Sequence, residues 1–313
     1  VNGQEEAFLG VSIGSTTLAA VELRTTGTRT VVTRLRSLRL DRELAFSLED
    51  EDGQASLASA MSSVIEGRTE VPRVALAISD RLALVKCVPV DRGMEKEEVA
   101  EHVRWEVEQL VVASREEYRV DSSYVAMPDG GQDRLVVVAI RKPIIEFLKG
   151  ASQRAGLRLV AIDLDLFAGV RAVTHNHQLR PGSTTAVLRL LPEVATIAFL
   201  RDGEFFDEGE TALPDRGALE LGARDQSFAR ELWEGLERRS GSGKVERVLV
   251  YGTACEELAP VLQQRCALPV EVVNPFQRLE LSPEVAGVRP KVGDYELVAA
   301  TGAALRGVPR SRV

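Results

Sequence analysis

Sulfur and aromatic rings are scarce in this chain, which has three cysteines, three methionines, two tryptophans and an aromatic content of 5%. Cys87, Cys255 and Cys266 show neither CxxC nor CxH spacing, so zinc-finger and thioredoxin-type chemistry is excluded and no disulfide framework is expected. Cys87 and Cys255 sit in strand-like or turn contexts and read as small buried apolar groups. No apolar run approaches the roughly 18 residues needed to cross a bilayer. The start, Val1-Asn-Gly-Gln-Glu-Glu6, has neither the charged nor the apolar region of a signal peptide. The expectation is a cytoplasmic protein that reaches a membrane only through something else. Basic excess is missing as well, and a net charge of -8 disfavours a general nucleic-acid binder, which needs a basic face. No GxSxG, HExxH, P-loop or GxGxxG pattern occurs.

What is present is a globular composition, 44% hydrophobic and 27% charged, in 313 residues, enough for about two domains. Residues 9–23 are the most informative stretch. An apolar run ends at Gly14, three hydroxyl residues follow (Ser15, Thr16, Thr17), and a second apolar run leads away. This predicts strand, tight turn, strand. Gly14 allows close backbone approach, and the amides of residues 15–17 can converge on a phosphate. A cradle of this kind normally carries an acid two residues before the glycine to hold the Mg²⁺ shell. Here that position is Ser12.

Along the chain, residues 8–40 read as three strands. In the third, Val31, Thr33 and Leu35 are expected on one side and Val32, Arg34 and Arg36 on the other. Leu57, Met61, Val64 and Ile65 recur at helical spacing within a helix over 54–66, and 74–78 is a buried strand. A self-contained β-α-β-β-α unit follows: strand 82–90, helix 95–112, strands 118–127 and 134–141 joined by a turn at 128–131, and helix 143–155 stopped by Gly156. The 95–98 run is a charged first turn that complements the helix dipole. Trp105 lies opposite the apolar stripe of Val99, Val103, Val107, Leu110 and Val111. It either anchors a partner or covers a neighbouring subdomain.

Strand 157–163 and helix 166–173 resume the main fold, and residues 175–183 form a polar joint. Strands 186–191, 194–200 and 204–207, the first two joined by a turn at 192–193, then repeat the opening pattern at a spacing of about 175 residues, which implies duplication. A helix at 226–239, a Ser/Gly linker, strand 245–251, helix 256–264, strand 270–273 and a small-residue helix at 297–305 complete the reading.

Two halves that each open on a hairpin loop, the first interrupted by an inserted module, resemble the actin-like ATPase superfamily. The chain is most similar to its PilM branch, the cytoplasmic actin-like proteins of type IV pilus assembly, related to FtsA. The resemblance runs through residues 9–23, the Arg104-Trp105-Glu106 helix, 155–168, 186–203, 248–252, 268–276 and 299–306. It implies an α/β actin-like fold in three parts. These are a first subdomain (7–78 with 157–180), an inserted subdomain (79–156) and a shortened second half (181–313). The stretch between Asp207 and Val245 is short for this architecture, with Gly217, Ala218, Leu219 and Gly222 as a remnant of a helical subdomain.

By the same resemblance, Gly14, Ser15, Thr16, Thr17, Asp165 and Gly252 fall at nucleotide-binding positions, while Ser12 and Arg189 replace the metal-anchoring acids. Leu191 replaces a glycine, and Gly252-Thr253 is a reduced adenosine motif. Arg189 repels a cation; it either touches a phosphate or pairs with Asp163 or Asp165. Without carboxylates an oxygen-ligated ion has little to hold it. The expectation is a degenerate site with no bound metal, little or no ATP hydrolysis and no catalytic residues. The function expected is that of a scaffold gripping the short cytoplasmic tail of a single-pass inner-membrane partner, PilN-like. The tail would lie in a groove between the first subdomain and the insertion, to which strand 82–90 and helix 99–112 contribute. The alternatives are a weak ATPase using ATP and Mg²⁺ in the reduced site, or the cytoplasmic scaffold of type II secretion. His175 and His177 form a spaced pair but have no third ligand, and they read as part of a solvated linker.

Overall fold

The computed structural model describes residues 6–27, 29–66, 72–110, 117–127, 132–191, 194–212, 229–230, 232–234, 245–288 and 294–308. The turns expected at 128–131 and 192–193, most of the helix expected at 226–239, the Ser/Gly linker and residues 217–222 lie outside them.

The first half opens with β1 (Glu6–Ile13), β2 (Thr17–Thr26) and β3 (Arg29–Arg39), then α1 (Glu51–Ile65) and β4 (Arg73–Ile78). The insertion is β5 (Ala83–Val90), α2 (Lys96–Leu110), β6 (Tyr118–Val125), β7 (Asp133–Arg141) and α3 (Lys142–Arg154). The main fold returns with β8 (Arg158–Leu164) and α4 (Asp165–Asn176). The second half has β9 (Thr184–Leu190), β10 (Val194–Arg201), β11 (Glu204–Ala212), β12 (Val245–Gly252), α5 (Cys255–Cys266) and β13 (Val270–Val272). It closes with β14 (Glu280–Leu281), α6 (Pro283–Val288) and α7 (Tyr295–Ala304).

Three sheets result, ordered β14-β3-β2-β1-β4-β8, β11-β10-β9-β12-β13 and β5-β7-β6. Once β14 is set aside, the first two share one plan: an antiparallel meander whose first strand continues into parallel neighbours. The duplication extends to single hydrogen bonds. The first hairpin closes with the Gly14 amide donating to the Thr17 carbonyl, the second with the Leu191 amide donating to the Val194 carbonyl, both at 2.9 Å. Ser12 sits opposite Ala19 and Ala77; Arg189 sits opposite Thr196 and Tyr251. The two residues are therefore equivalent positions of the two halves.

The simple alternation expected for β3 is corrected. The β2–β3 register shifts between Glu22 and Leu23, which pair with Arg34 and Val32 and leave Thr33 as the extra residue. Val32 and Leu35 consequently pack in one cluster with Val21, Leu23 and Phe276.

Helices α4 and α7 cross between the two large sheets. Every residue of α7 from Leu297 to Ala304 is buried, so it reads as a core helix with no polar face. Small residues set the distance: a Cβ built on Gly302 would lie 1.7 Å from the Ala168 carbonyl oxygen. Because that neighbour is backbone, neither partner can rotate aside. Gly302→Ala is therefore expected to cost about 3 kcal/mol of stability, read as a lower urea midpoint at unchanged slope.

Candidate functional site

The carboxyl ends of β4 and β8 and the last residues of β9 meet between the two halves around one guanidinium. Arg189 is 1% exposed. Its Nη1 donates to Asp165 Oδ1 at 2.7 Å and its Nη2 to Thr196 Oγ1 at 3.0 Å. Nη2 also pairs with Asp80, which lies in the short 3-10 turn after β4. Asp165 is the first residue of α4. Its Oδ1 accepts the Asp80 backbone amide at 3.1 Å, and its Oδ2 accepts the Tyr295 hydroxyl from the start of α7. Tyr251 at the end of β12 stacks on Tyr295, with ring centroids 6.4 Å apart and planes 7° from parallel.

Burial pushes the Asp165 carboxyl above its ordinary range, and the Arg189 charge pulls it back. Burial works against the guanidinium too, but Asp165 and Asp80 outweigh it and hold Arg189 protonated. Desolvation raises both tyrosine hydroxyls. Further out, burial and then Asp80 push the Glu208 carboxyl up to about 7, and burial together with Glu208 and Asp207 pushes the Cys87 thiol up to about 12. Cys87 is half-buried and Cys255 buried.

The first hairpin is occupied differently. Leu44 and Leu40 donate their amides to the carbonyls of Ser15 and Thr16, both at 2.9 Å, fixing the loop against the chain that follows β3. The Thr17 hydroxyl donates to Glu296 of α7. Burial raises the Glu296 carboxyl, and its bond to Thr17 opposes that. A carboxylate therefore already holds a hydroxyl of the phosphate-like loop. Gly252, at φ +106°, has a structural reason to be glycine, since a Cβ there would meet the Leu190 carbonyl oxygen at 2.0 Å.

These residues do not fit a hydrated Mg²⁺. Position 12 offers a buried hydroxyl and position 189 a cation, while Asp165 is already bonded to Arg189, Tyr295 and the Asp80 amide. Among the described residues no group of three His, Cys, Asp or Glu side chains could hold a metal.

Of the two open readings of Arg189, the ion pair is the one found, with Asp165 and not with Asp163. Asp163 instead accepts from Arg171 at 2.6 Å and Arg306 at 2.9 Å. The expected solvated histidine linker is corrected. His177 is 3% exposed, caps α4 and accepts the Asn274 amide at 3.3 Å. Burial, then a nearby arginine, lowers the pKa of both histidines. Sequence reasoning missed Asp80, Thr196, Tyr295 and Glu296. Asp80 had a signal, because it follows a buried parallel strand just as Asp165 does, and such strand ends line the ligand crevices of α/β sheets.

A second feature is a groove of about 2090 Å³ lined by the insertion, by the first half and by Asp202, Gly203, Glu204, Phe205 and Arg278 of the second half. Its walls include β6 and β8, each the last strand of its sheet, and Phe167, Val170 and Arg171 of α4 line it as well. Tyr124 on β6 and Val160 on β8 are exposed there, 40% and 41%. The inserted strand and helix expected to contribute do not line this groove. The order β5-β7-β6 puts β6 at the groove, and α2 packs on the other face of the inserted sheet, with Val103 and Val107 against Leu135 and Val137.

Residues 10–205 match the family model described as type IV pilus assembly protein PilM. Among solved structures, the chain is similar to one titled PilM-PilN type IV pilus biogenesis complex, with a TM-score of 0.76, 22% identity and 99% of each chain covered. It is less similar to the cytoplasmic domain of EpsL, an inner membrane component of the type II secretion system of Vibrio cholerae. There the TM-score is 0.49 and the identity 11%, covering 95% of this chain and 94% of that one.

Two outcomes follow from the cleft. Arg189→Gln leaves the buried Asp165 and the half-buried Asp80 without their counter-charge and is expected to cost about 3 kcal/mol, measured by chemical denaturation at pH 7. Glu208 has a folded pKa raised to about 7 from an ordinary 4.5. Its stabilising protonated form is complete below pH 4.5 and is lost as pH rises through 7. Glu208→Gln should therefore melt a few degrees above the parent at pH 8, and the gap should close towards pH 4.5.

Proposed function

The chain belongs to the PilM family of type IV pilus assembly proteins, and from that premise we propose that it serves as a docking platform rather than a nucleotide-driven machine. The observation that carries this reading is the buried Arg189, bonded to Asp165 and Asp80 at the position equivalent to Ser12. An actin-like ATPase needs a divalent ion between its halves; here a side chain supplies the positive charge from within. The charge is fixed, so neither ATP nor Mg²⁺ is required to hold the halves together, and hydrolysis is little or none.

The ligand of the platform is the short cytoplasmic tail of a PilN-like, single-pass inner-membrane protein. A similar fold is known as a PilM-PilN complex. The groove offers what an extended peptide uses: two strands at sheet ends and apolar side chains between them, Val160 and Tyr124 included. No helix of the described residues is long and apolar enough to cross a membrane. The tail would bring the protein to the cytoplasmic side of the inner membrane. With a net charge of -8, nucleic acid has no part in this reading.

Calorimetry tests both parts. A synthetic peptide of the partner's tail should bind the wild-type chain, and Val160→Asp with Tyr124→Asp, both surface changes, should weaken it by about ten-fold or more. Unchanged affinity would remove the groove from the account. Titration with ATP and Mg²⁺ should give no heat of binding; micromolar, metal-dependent affinity would overturn the platform reading.

A further inference from the structure

The groove uses one face of the inserted sheet, and the other face carries α2. Successive residues of β7 point to opposite sides. Leu135 and Val137 pack with Val103 and Val107 of α2, whereas Val136, Val138 and Ile140 belong to the clusters of the main body. The outward side of α2 thus looks away from the tail groove. Trp105 stands on it, 55% exposed, the most exposed of the large hydrophobic side chains among the described residues. This excludes the reading in which Trp105 covers a neighbouring subdomain. Its ring neighbour is His102, at 6.2 Å between centroids and 38° between planes.

Carboxylates flank the ring along the helix row, and Arg104 is the one cation beside it on the described helix. Glu101 lies four residues before Trp105 and Glu108 three after, so both share its helix face, one turn to either side. Glu97 continues the same row, and Glu97, Glu101 and Glu108 are all exposed. None of them takes part in an ion pair among the described residues, although Arg104 is exposed on the same helix. Glu106 is different: it is buried, and it is neutralised by Lys86 at 2.6 Å. A large indole left in water between unpaired carboxylates is costly to leave bare and well matched to one kind of visitor. A guanidinium or ammonium can lie over the indole face while its charge is met by the glutamates on either side.

We propose that this face is a second docking surface, which receives a basic segment of another protein by stacking a Lys or Arg side chain on Trp105 between Glu101 and Glu108. The charge complementarity selects a basic polypeptide and disfavours an anionic membrane surface, which the same glutamates would repel. The proposal does not depend on the groove, and since the two surfaces lie on opposite faces of one small sheet, both can be filled at once.

The test uses the full chain and fluorescence anisotropy with three labelled peptides, repeats of Gly-Arg-Leu, Gly-Lys-Leu and Gly-Glu-Leu. The arginine peptide should bind best, the lysine peptide less well and the glutamate peptide not at all. Trp105→Ala, and separately Glu101→Gln with Glu108→Gln, should each weaken the arginine peptide by about ten-fold. Glu256→Gln with Glu257→Gln removes the same charge from the exposed first turn of α5 and controls for general attraction to an acidic protein. It should change affinity less than about two-fold. In a Trp233→Phe background, the remaining Trp105 emission should be quenched as the arginine peptide binds. Equal binding to wild type and Trp105→Ala, equal losses in the control, or preferential binding to phosphatidylglycerol vesicles would overturn the proposal. All variants except Trp233→Phe change exposed side chains, and an unaltered circular dichroism spectrum would confirm that each remains folded.

Discussion

A buried guanidinium held by two carboxylates is the constraint around which this molecule is arranged. Arg189 comes from the second half, Asp165 from the helix that leads out of the first, and Asp80 from the turn that leads into the insertion. One side chain therefore ties three parts of the chain at one point. Bringing these charges out of water is expensive, and the attraction between them compensates only when the geometry is fixed by further bonds. Those bonds are present: the Tyr295 hydroxyl, the Thr196 hydroxyl and the Asp80 amide. The arrangement argues for specificity of assembly more than for raw stability, because each member is costly if the others are misplaced.

The same point explains why the two hairpins, built on one plan, are chemically unlike. Ser12 is small and buried between alanines; its equivalent in the other half is the longest cationic side chain available. Duplication gave two similar frames, and divergence placed the charge in only one. At the first hairpin the carbonyls of Ser15 and Thr16 are held by the following chain and the Thr17 hydroxyl by Glu296, so the loop keeps its shape through bonds within the protein while Ser15 stays exposed.

The fold was largely legible because its signals are periodic and local. Alternating and continuous apolar runs fixed most strands to within a residue or two, and the repeat of hairpin openings exposed the duplication. Arg189 was legible because a cation stands where the resemblance implies an acid, and Asp165 because it keeps the acid implied there, but their pairing was one of the readings left open. Asp80, Tyr295 and Glu296 were not, because their roles depend on which strand ends and helix ends meet, and sequence spacing carries no record of that. The β3 bulge escaped for a related reason: Thr33 suits either alternation, and only pairing with β2 decides. Trp105 was visible as an anomaly in the helix pattern, but its exposure required knowing what lies above it. That the groove found here is walled by β6 and not by the first inserted strand could not be read from the chain, because the strand order, β5-β7-β6, differs from chain order.

The crossing of α4 and α7 at Gly302 and Ala168 is a fulcrum, with backbone touching backbone and the Arg171 guanidinium of α4 bonded to the Gly302 carbonyl of α7. Two rods meeting at such a point would ordinarily scissor. Here their leading ends are tethered to each other through Tyr295 and Asp165, which removes that freedom. The two helices are thereby pinned at two points, and neither can slide or splay without breaking one of them.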